Sequence, residues 1–314
     1  MASRDMLYTP EKPVADAELS SADESSFRKM AAEVRRPGLV GVSVFRSPVL
    51  SHQPVLNGQV SHQNDPEKAL QLAPLNTERV WDSLIKIGLH ETFLAGNGVF
   101  TDSKQNAASS YFDILRTRLL QAMQERGWRR IAITSPTHDC GKSFVAANLA
   151  FSLARRPSSR NVLIDLELRA PRLERLLGLQ DIGPLEEYLT GEQPLESHFI
   201  RYGQTLALGL NSAPVPHASE LLQEPSTLHT LDAMITQLDP QIVVYDVPPL
   251  LVSDDVLALL PAVDAVLLVV DGTSTTAEEV KACEKLLEGS CPLMGVVLNR
   301  AQDYNLSRYV YGRK

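Results

Sequence analysis

From residue 130 onward, short unbroken apolar runs alternate with longer stretches whose apolar positions recur at helical spacing. The runs are Ile131–Thr134, Asn161-Val-Leu-Ile-Asp165, Leu206–Leu210, Gln241-Ile-Val-Val-Tyr-Asp246, Asp264–Asp271 and Met294–Leu298. A run with no polar alternation reads as a strand buried on both faces. Between the runs lie helical patterns. Over 108–125, Tyr111, Ile114, Leu115, Arg118, Leu119 and Met123 share a face, and Gly127 ends it. Phe144–Ala154 is rich in helix formers. Shorter helices are predicted at Arg172–Leu177, Pro184–Leu189 and from Ser219. Thr227–Leu238 aligns Leu228, Leu231, Ile235 and Leu238, and Thr275–Leu287 carries Glu278 and Glu279 in its first turns. Pro248 and Pro249 cannot continue a central ladder, so the strand before them stops there. Strand–helix alternation with apolar strands predicts an α/β fold, a doubly wound and mostly parallel sheet.

The ends of the chain do not follow this pattern. Residues 1–104 read as a largely disordered extension rich in Ser, Pro, Glu, Asp, Gln and Asn, with apolar pieces such as Leu39–Phe45 too isolated to make a core. One short amphipathic helix is expected at 79–88, where Trp81, Leu84, Ile85 and Gly88 fall on one side, to dock on the domain or on a partner. The domain proper spans 105–300. A tail, 301–314, carries Tyr304, Tyr309 and Tyr311 and reads as mobile or as a surface strand.

Composition narrows the function classes. The chain has 314 residues, 44% of them hydrophobic, and a net charge of −8, which argues against a general nucleic-acid binder. Cys140, Cys283 and Cys291 form no zinc pattern and fit a reducing, cytoplasmic setting. The N-terminus lacks a signal-peptide core. No apolar run reaches the ~20 residues of a membrane-spanning helix, because Pro261 and Asp264 interrupt the most apolar region.

The chemistry concentrates at the first run. Ile131–Thr134 passes through the turn-rich Ser135–Gly141 into a helix, with Gly141-Lys142-Ser143 at the junction. That is the context of a phosphate-binding loop, where helix-opening amides face an anion. Lys142 would reach the β/γ-phosphates and the Ser143 hydroxyl would ligate Mg2+. Pro136 stands where the first glycine is usual, and Asp139 suits a phosphate site only if its side chain points outward. Asp165, Glu167 and Asp246 lie at strand ends, where parallel sheets bind ligands. Mg2+ and nucleotide would compensate their burial, although Asp165 could instead cap the next helix.

Taken in order, the loop, Val-Leu-Ile-Asp165-x-Glu167-x-Arg169-x-Pro171, Val-Tyr-Asp246-Val-Pro-Pro, Gly-Val-Val-Leu-Asn299 and the terminal tyrosines resemble bacterial tyrosine kinases of the CpsD/CapB type. These are P-loop NTPases related to MinD and ParA. The resemblance covers about 105–314 and implies an ATP-dependent tyrosine autokinase regulating exopolysaccharide or capsule polymerisation and export. It implies Lys142, Asp165, Glu167 and Asp246 as catalytic residues. Asp139, Cys140, Gly141, Lys142, Ser143, Phe144 and Asn299 would hold ATP, with Asn299 at the adenine. Ser143, Asp165 and Asp246 would hold Mg2+, and Tyr304, Tyr309 and Tyr311 would be phosphate acceptors. A membrane-embedded chain-length-determinant protein would recruit the chain to the inner face of the plasma membrane, and self-association would allow trans-phosphorylation. The chain departs from the family at His138-Asp139-Cys140, where glycine is usual, and at Glu167, where Asp is. It also departs at Ser110–Arg116, which keeps only the last Arg of the family's oligomerisation motif. A MinD/ParA-like positioning ATPase is more remote, since Ser135-Pro-Thr-His lacks a second lysine. The alternative is a nucleotide-dependent switch or scaffold with little kinase activity, acting on the same membrane partner.

Overall fold

The computed structural model describes residues 42–43, 76–102 and 107–301. Its strands are β1 (Val42–Ser43), β2 (Ile85–Ile87), β3 (Arg130–Thr134), β4 (Asn161–Asp165), β5 (Ile200–Tyr202), β6 (Leu206–Gly209), β7 (Ile242–Asp246), β8 (Ala265–Asp271) and β9 (Leu293–Asn299). They form one sheet in the order β1-β9-β8-β3-β7-β4-β6-β5-β2. From β9 through to β6 all neighbours are parallel. β5 turns back antiparallel on β6, and β1 runs antiparallel to β9. The helices are α1 (Thr77–Ser83), α2 (Glu91–Gly96), α3 (Ala107–Arg126), α4 (Lys142–Ala154), α5 (Leu173–Leu177), α6 (Glu186–Leu189), α7 (Leu195–His198), α8 (Ala218–Gln223), α9 (Pro225–Leu238), α10 (Asp255–Leu259) and α11 (Ala277–Leu287).

The unbroken apolar runs are explained by cover on both faces. Ile131 and Ile133 of β3 join a cluster with Leu119 of α3 and Leu149 of α4, while Ala132 between them joins Leu231 of α9 and Cys283 of α11 on the other side. Alternate residues of each strand thus enter opposite cores, and removing each such side chain from water contributes roughly 1.5–3 kcal/mol. β3 is central, paired to β7 on one side and β8 on the other. The loop that leaves its carboxyl end therefore emerges at the point where the chain's winding direction reverses. α11 opens with a reciprocal capping box between Thr276 and Glu279.

Two expectations change. The helix expected at 79–88 ends at Ser83, and Ile85–Ile87 is a strand beside β5, with Ile85 opposite Ile200. Trp81 and Leu84 are buried as the pattern suggested, but Ile85 is 61% exposed. The β-branched Ile-Lys-Ile alternation suits a half-buried edge strand, and sheet pairing wins over helical spacing in so short a segment. Residues 76–102, read as part of the disordered extension, are built into the domain: Leu94, Val99 and Phe100 are buried, and the Arg160 guanidinium lies 4.9 Å above the Trp81 ring. Of the isolated piece Leu39–Phe45, Val42–Ser43 supplies β1. Residues 1–41, 44–75, 103–106 and 302–314, with Tyr304, Tyr309 and Tyr311, lie outside the described residues. Among the described residues no helix is long and apolar enough to cross a membrane.

Trp81→Ala is expected to destabilise the whole domain by about 3–5 kcal/mol, the usual range for deleting a large buried aromatic. Equilibrium denaturation in urea reads this directly. An unchanged midpoint would show that residues 76–102 are not part of the cooperative unit.

Candidate active site

The loop after β3 is held from both sides. The Thr134 hydroxyl donates to the Pro248 carbonyl at 2.6 Å, and the Leu250 and Leu251 amides donate to the Ser135 and Pro136 carbonyls at 2.8 and 3.1 Å. The two prolines after β7 therefore stop that strand and turn the following residues onto the loop. The Ser135 hydroxyl donates to the Thr137 carbonyl at 2.7 Å. Cys140 is buried, its Sγ 3.7 Å from the Thr137 and Thr275 hydroxyls, and it packs as a small loop filler. Gly141 precedes α4 at φ 89°, a left-handed conformation that favours glycine, and a Cβ there would press on the Asn299 side-chain amide. The opening amides of α4 follow at once, the arrangement that receives a phosphate.

The lysine and the acids predicted at separate places in the chain come together here. Lys142 Nζ lies 2.6 Å from Glu167 Oε2 and 3.7 Å from Asp246 Oδ1, and only 10% of its side chain is exposed. Burial works against the ammonium, but Asp246 and Glu167 outweigh it and raise its pKa. Asp165 and Asp246 are cross-strand partners at the ends of β4 and β7, and both are fully buried. Burial first, then each other's charge or that of Glu167, pushes both carboxyls up; Lys142 opposes this. Their hydrogen bonding differs. Asp165 accepts from the Glu167 amide at 3.2 Å and from the Leu173 amide, at the start of α5, at 3.1 Å. Its role as a cap is therefore real. Asp246 has both oxygens buried with no hydrogen-bond partner among the described residues.

Other predicted residues sit differently from expectation. The Asp139 side chain points outward to Arg172 at 2.7 Å, so only its backbone faces the loop. That contact holds the Asp139 carboxyl below the usual range. The Phe144 ring turns away from the loop onto Gly98 and packs edge-on against Phe112, with centroids 5.8 Å apart. Its backbone alone can meet a phosphate. Asn299 donates to the Cys140 carbonyl at 2.9 Å, so it rests on the phosphate loop itself.

Several contacts were not read from the sequence, although Arg169 and Arg116 were noted in motifs. Asn148 accepts from the Phe100 amide at 3.0 Å and donates to the Gly98 and Phe144 carbonyls at 3.1 and 3.0 Å, tying residues 98–100 to α4. Arg169 makes a two-pronged contact with buried Asp255, at 2.8 and 3.0 Å. Burial raises the Asp255 carboxyl, yet hydrogen bonds from Arg169, Ser219 and Ser253 hold it below the ordinary value. Arg116 is spent inside the fold, donating to Asp113 and to the Ser152 carbonyl at 3.0 and 2.9 Å. Arg300 reaches both the Asp139 carbonyl, at 2.8 Å, and Asp271. An arginine following Asn299 gave the only sequence cue to that contact, and it carried no pattern.

These residues fit a nucleotide with its cation. The buried Asp246 carboxylate, whose nearest cation is Lys142 at 3.7 Å, and the Ser143 hydroxyl offer oxygen ligands to magnesium, and the glycine-opened helix N-terminus offers amides to a phosphate.

No protein-family model matches the chain. EpsB of Ralstonia solanacearum is 35% identical over 206 residues, covering 64% of this chain and 26% of its own length. The tyrosine-protein kinase YwqD of Bacillus subtilis is 28% identical over 205 residues, covering 65% of this chain and 85% of its own. The solved kinase domain of the Escherichia coli tyrosine kinase ETK superposes with a TM-score of 0.58 at 28% identity, over 70% of this chain and 84% of that one. The chain spans about a quarter of the length of the first curated relatives it matches.

Proposed function

Because the chain is a relative of the bacterial tyrosine-protein kinases, we propose that it transfers the terminal phosphoryl group of ATP to tyrosine hydroxyls of its own C-terminal tail, Tyr304, Tyr309 and Tyr311. The observation that carries this reading is the convergence of Lys142, Ser143, Asp165, Glu167 and Asp246 on one loop. Phosphoryl transfer needs positioning and charge neutralisation more than covalent chemistry.

Each residue has a task. The amides from Gly141 onward and the Lys142 ammonium take the phosphates, Lys142 leaving Glu167 to do so. Ser143 and Asp246 hold magnesium, which neutralises charge on the phosphates when bound. Asp165, at the end of β4 beside Asp246, accepts the phenol proton of the incoming tyrosine. Glu167, freed from Lys142, orients that phenol. Asn299 steadies the loop through the Cys140 carbonyl. By its motif resemblance, the reaction serves exopolysaccharide or capsule polymerisation, with a membrane-embedded chain-length-determinant protein as activator at the inner membrane face. Phosphorylation between copies follows from a tail acceptor, and since Arg116 is engaged internally, the contact between copies uses other residues.

The test is intact-mass and peptide mapping of purified chain incubated with ATP and magnesium, alone and with the cytoplasmic part of the membrane partner. Phosphate on Tyr304, Tyr309 or Tyr311 is the expected result. ATP binding with no phosphate added would favour a nucleotide-dependent scaffold instead.

A further inference from the structure

Asp139 sits in the phosphate loop at φ 62°, a left-handed conformation that a side chain pays for and glycine does not. Something must hold it there, and two arginines converge on it. Arg172, from the end of the loop before α5, takes the Asp139 carboxylate at 2.7 Å. Arg300, just past β9, donates to the Asp139 carbonyl at 2.8 Å and is itself anchored on Asp271. Asp271 is fixed in turn by the Thr273 amide and hydroxyl, at 2.8 and 2.6 Å. Those hydrogen bonds, with Arg300 adding to them, hold its carboxyl below the usual range. Arg300 also has φ 53°, so strained backbone stands on both sides of the contact.

The geometry points to Arg300 as a positioning residue for nucleotide binding: bridged to Asp271, it keeps the phosphate loop in its anion-receiving shape in place of a loop glycine. This rests on the nucleotide-binding reading above. Arg300 neither replaces Lys142 nor needs to touch the nucleotide. Its work is done on the Asp139 carbonyl, one residue before the Cys140 carbonyl that Asn299 holds. The ends of β8 and β9 therefore both hold the loop by its backbone, at Asp139 and Cys140.

The experiment is a magnesium-dependent titration of a fluorescent ADP analogue on the full chain, with inorganic tripolyphosphate as competitor. Arg300→Ala is expected to weaken the analogue and tripolyphosphate alike, by about tenfold, with the melting temperature little changed because Arg300 is half-exposed. In the Asp139→Gly background, Arg300→Ala should cost less than twofold, since a glycine needs no brace. A tenfold loss that persists in that background would overturn the proposal and place Arg300 directly on the nucleotide. Loss of ADP binding without loss of tripolyphosphate binding would overturn it too, assigning Arg300 to the base. Unchanged binding in Arg300→Ala would leave the nucleotide reading standing and end this one, whereas a parent chain that binds neither probe would end both.

Discussion

Lys142→Met is expected to abolish transfer of phosphate to the tail, lowering the rate by at least about a hundredfold. Lys142 is the one cation facing Asp246 and Glu167 in the site as described. Without it, three buried carboxylates face incoming phosphates with no fixed positive charge between them. Methionine keeps the length and apolar stem of lysine, so the loss is one of charge. Removing one partner of a buried pair ordinarily costs several kcal/mol. Here the carboxyls can take up protons, so the fold should survive with a lower melting temperature. Phosphotyrosine by mass spectrometry, read beside circular dichroism of the same sample, separates lost chemistry from lost structure. Undiminished phosphate incorporation in a folded Lys142→Met chain would remove this loop from the reaction.

Asp246→Asn should produce opposite effects with and without ligand. In the free protein the Asp246 carboxyl is fully buried with Lys142 3.7 Å away, and both it and Asp165 have raised pKa values because burial outweighs that cation. An acid whose pKa is raised by folding stabilises the fold below its unfolded value. That contribution is lost as pH climbs through the raised folded value. The ordinary value is 3.8, so the window opens near there and extends upward. Ligand-free protein should therefore lose stability as pH rises above that ordinary value. Asp246→Asn should flatten that decline. With magnesium and ADP the order reverses, because the parent gains a ligand-dependent rise in melting temperature that the variant lacks. Melting curves across pH, with and without Mg-ADP, test both halves. If parent and variant showed parallel pH profiles, Asp246 would not be the strained acid described here.

Both effects could be anticipated in outline because β3, β4 and β7 were legible. Each is covered on both faces, so its apolar run is unbroken, and a charged residue at its end stands out against that run. Asp165 and Asp246 were singled out in this way, and Lys142 by the Gly-Lys-Ser junction that follows the turn after β3. Glu167 was found with them, but its contact with Lys142 depends on how the chain turns after β4, which no spacing encodes. β2 and β5 were missed because three residues give no period to read, and their pairing is set by distant neighbours. Asn148 drew no notice in the sequence, since its partners at 98–100 come from a segment read as unstructured. Asp139 showed the opposite relation. Electrostatics alone required an outward side chain, and Arg172 supplies the reason it stays outward.

The place of β3 in the sheet also governs the order in which the chain can fold. Ile131 is registered with Val244 on one side and Ala265 on the other, both supplied far later in the sequence. A chain emerging from the ribosome therefore presents β3 and the apolar helix α4 long before either flanking strand exists. Local contacts between α3 and α4 can form early, but the sheet must wait for loop closures of high entropic cost. During that interval two bare strand edges stand on either side of the future nucleotide site, and a newly made chain is most exposed to mispairing there.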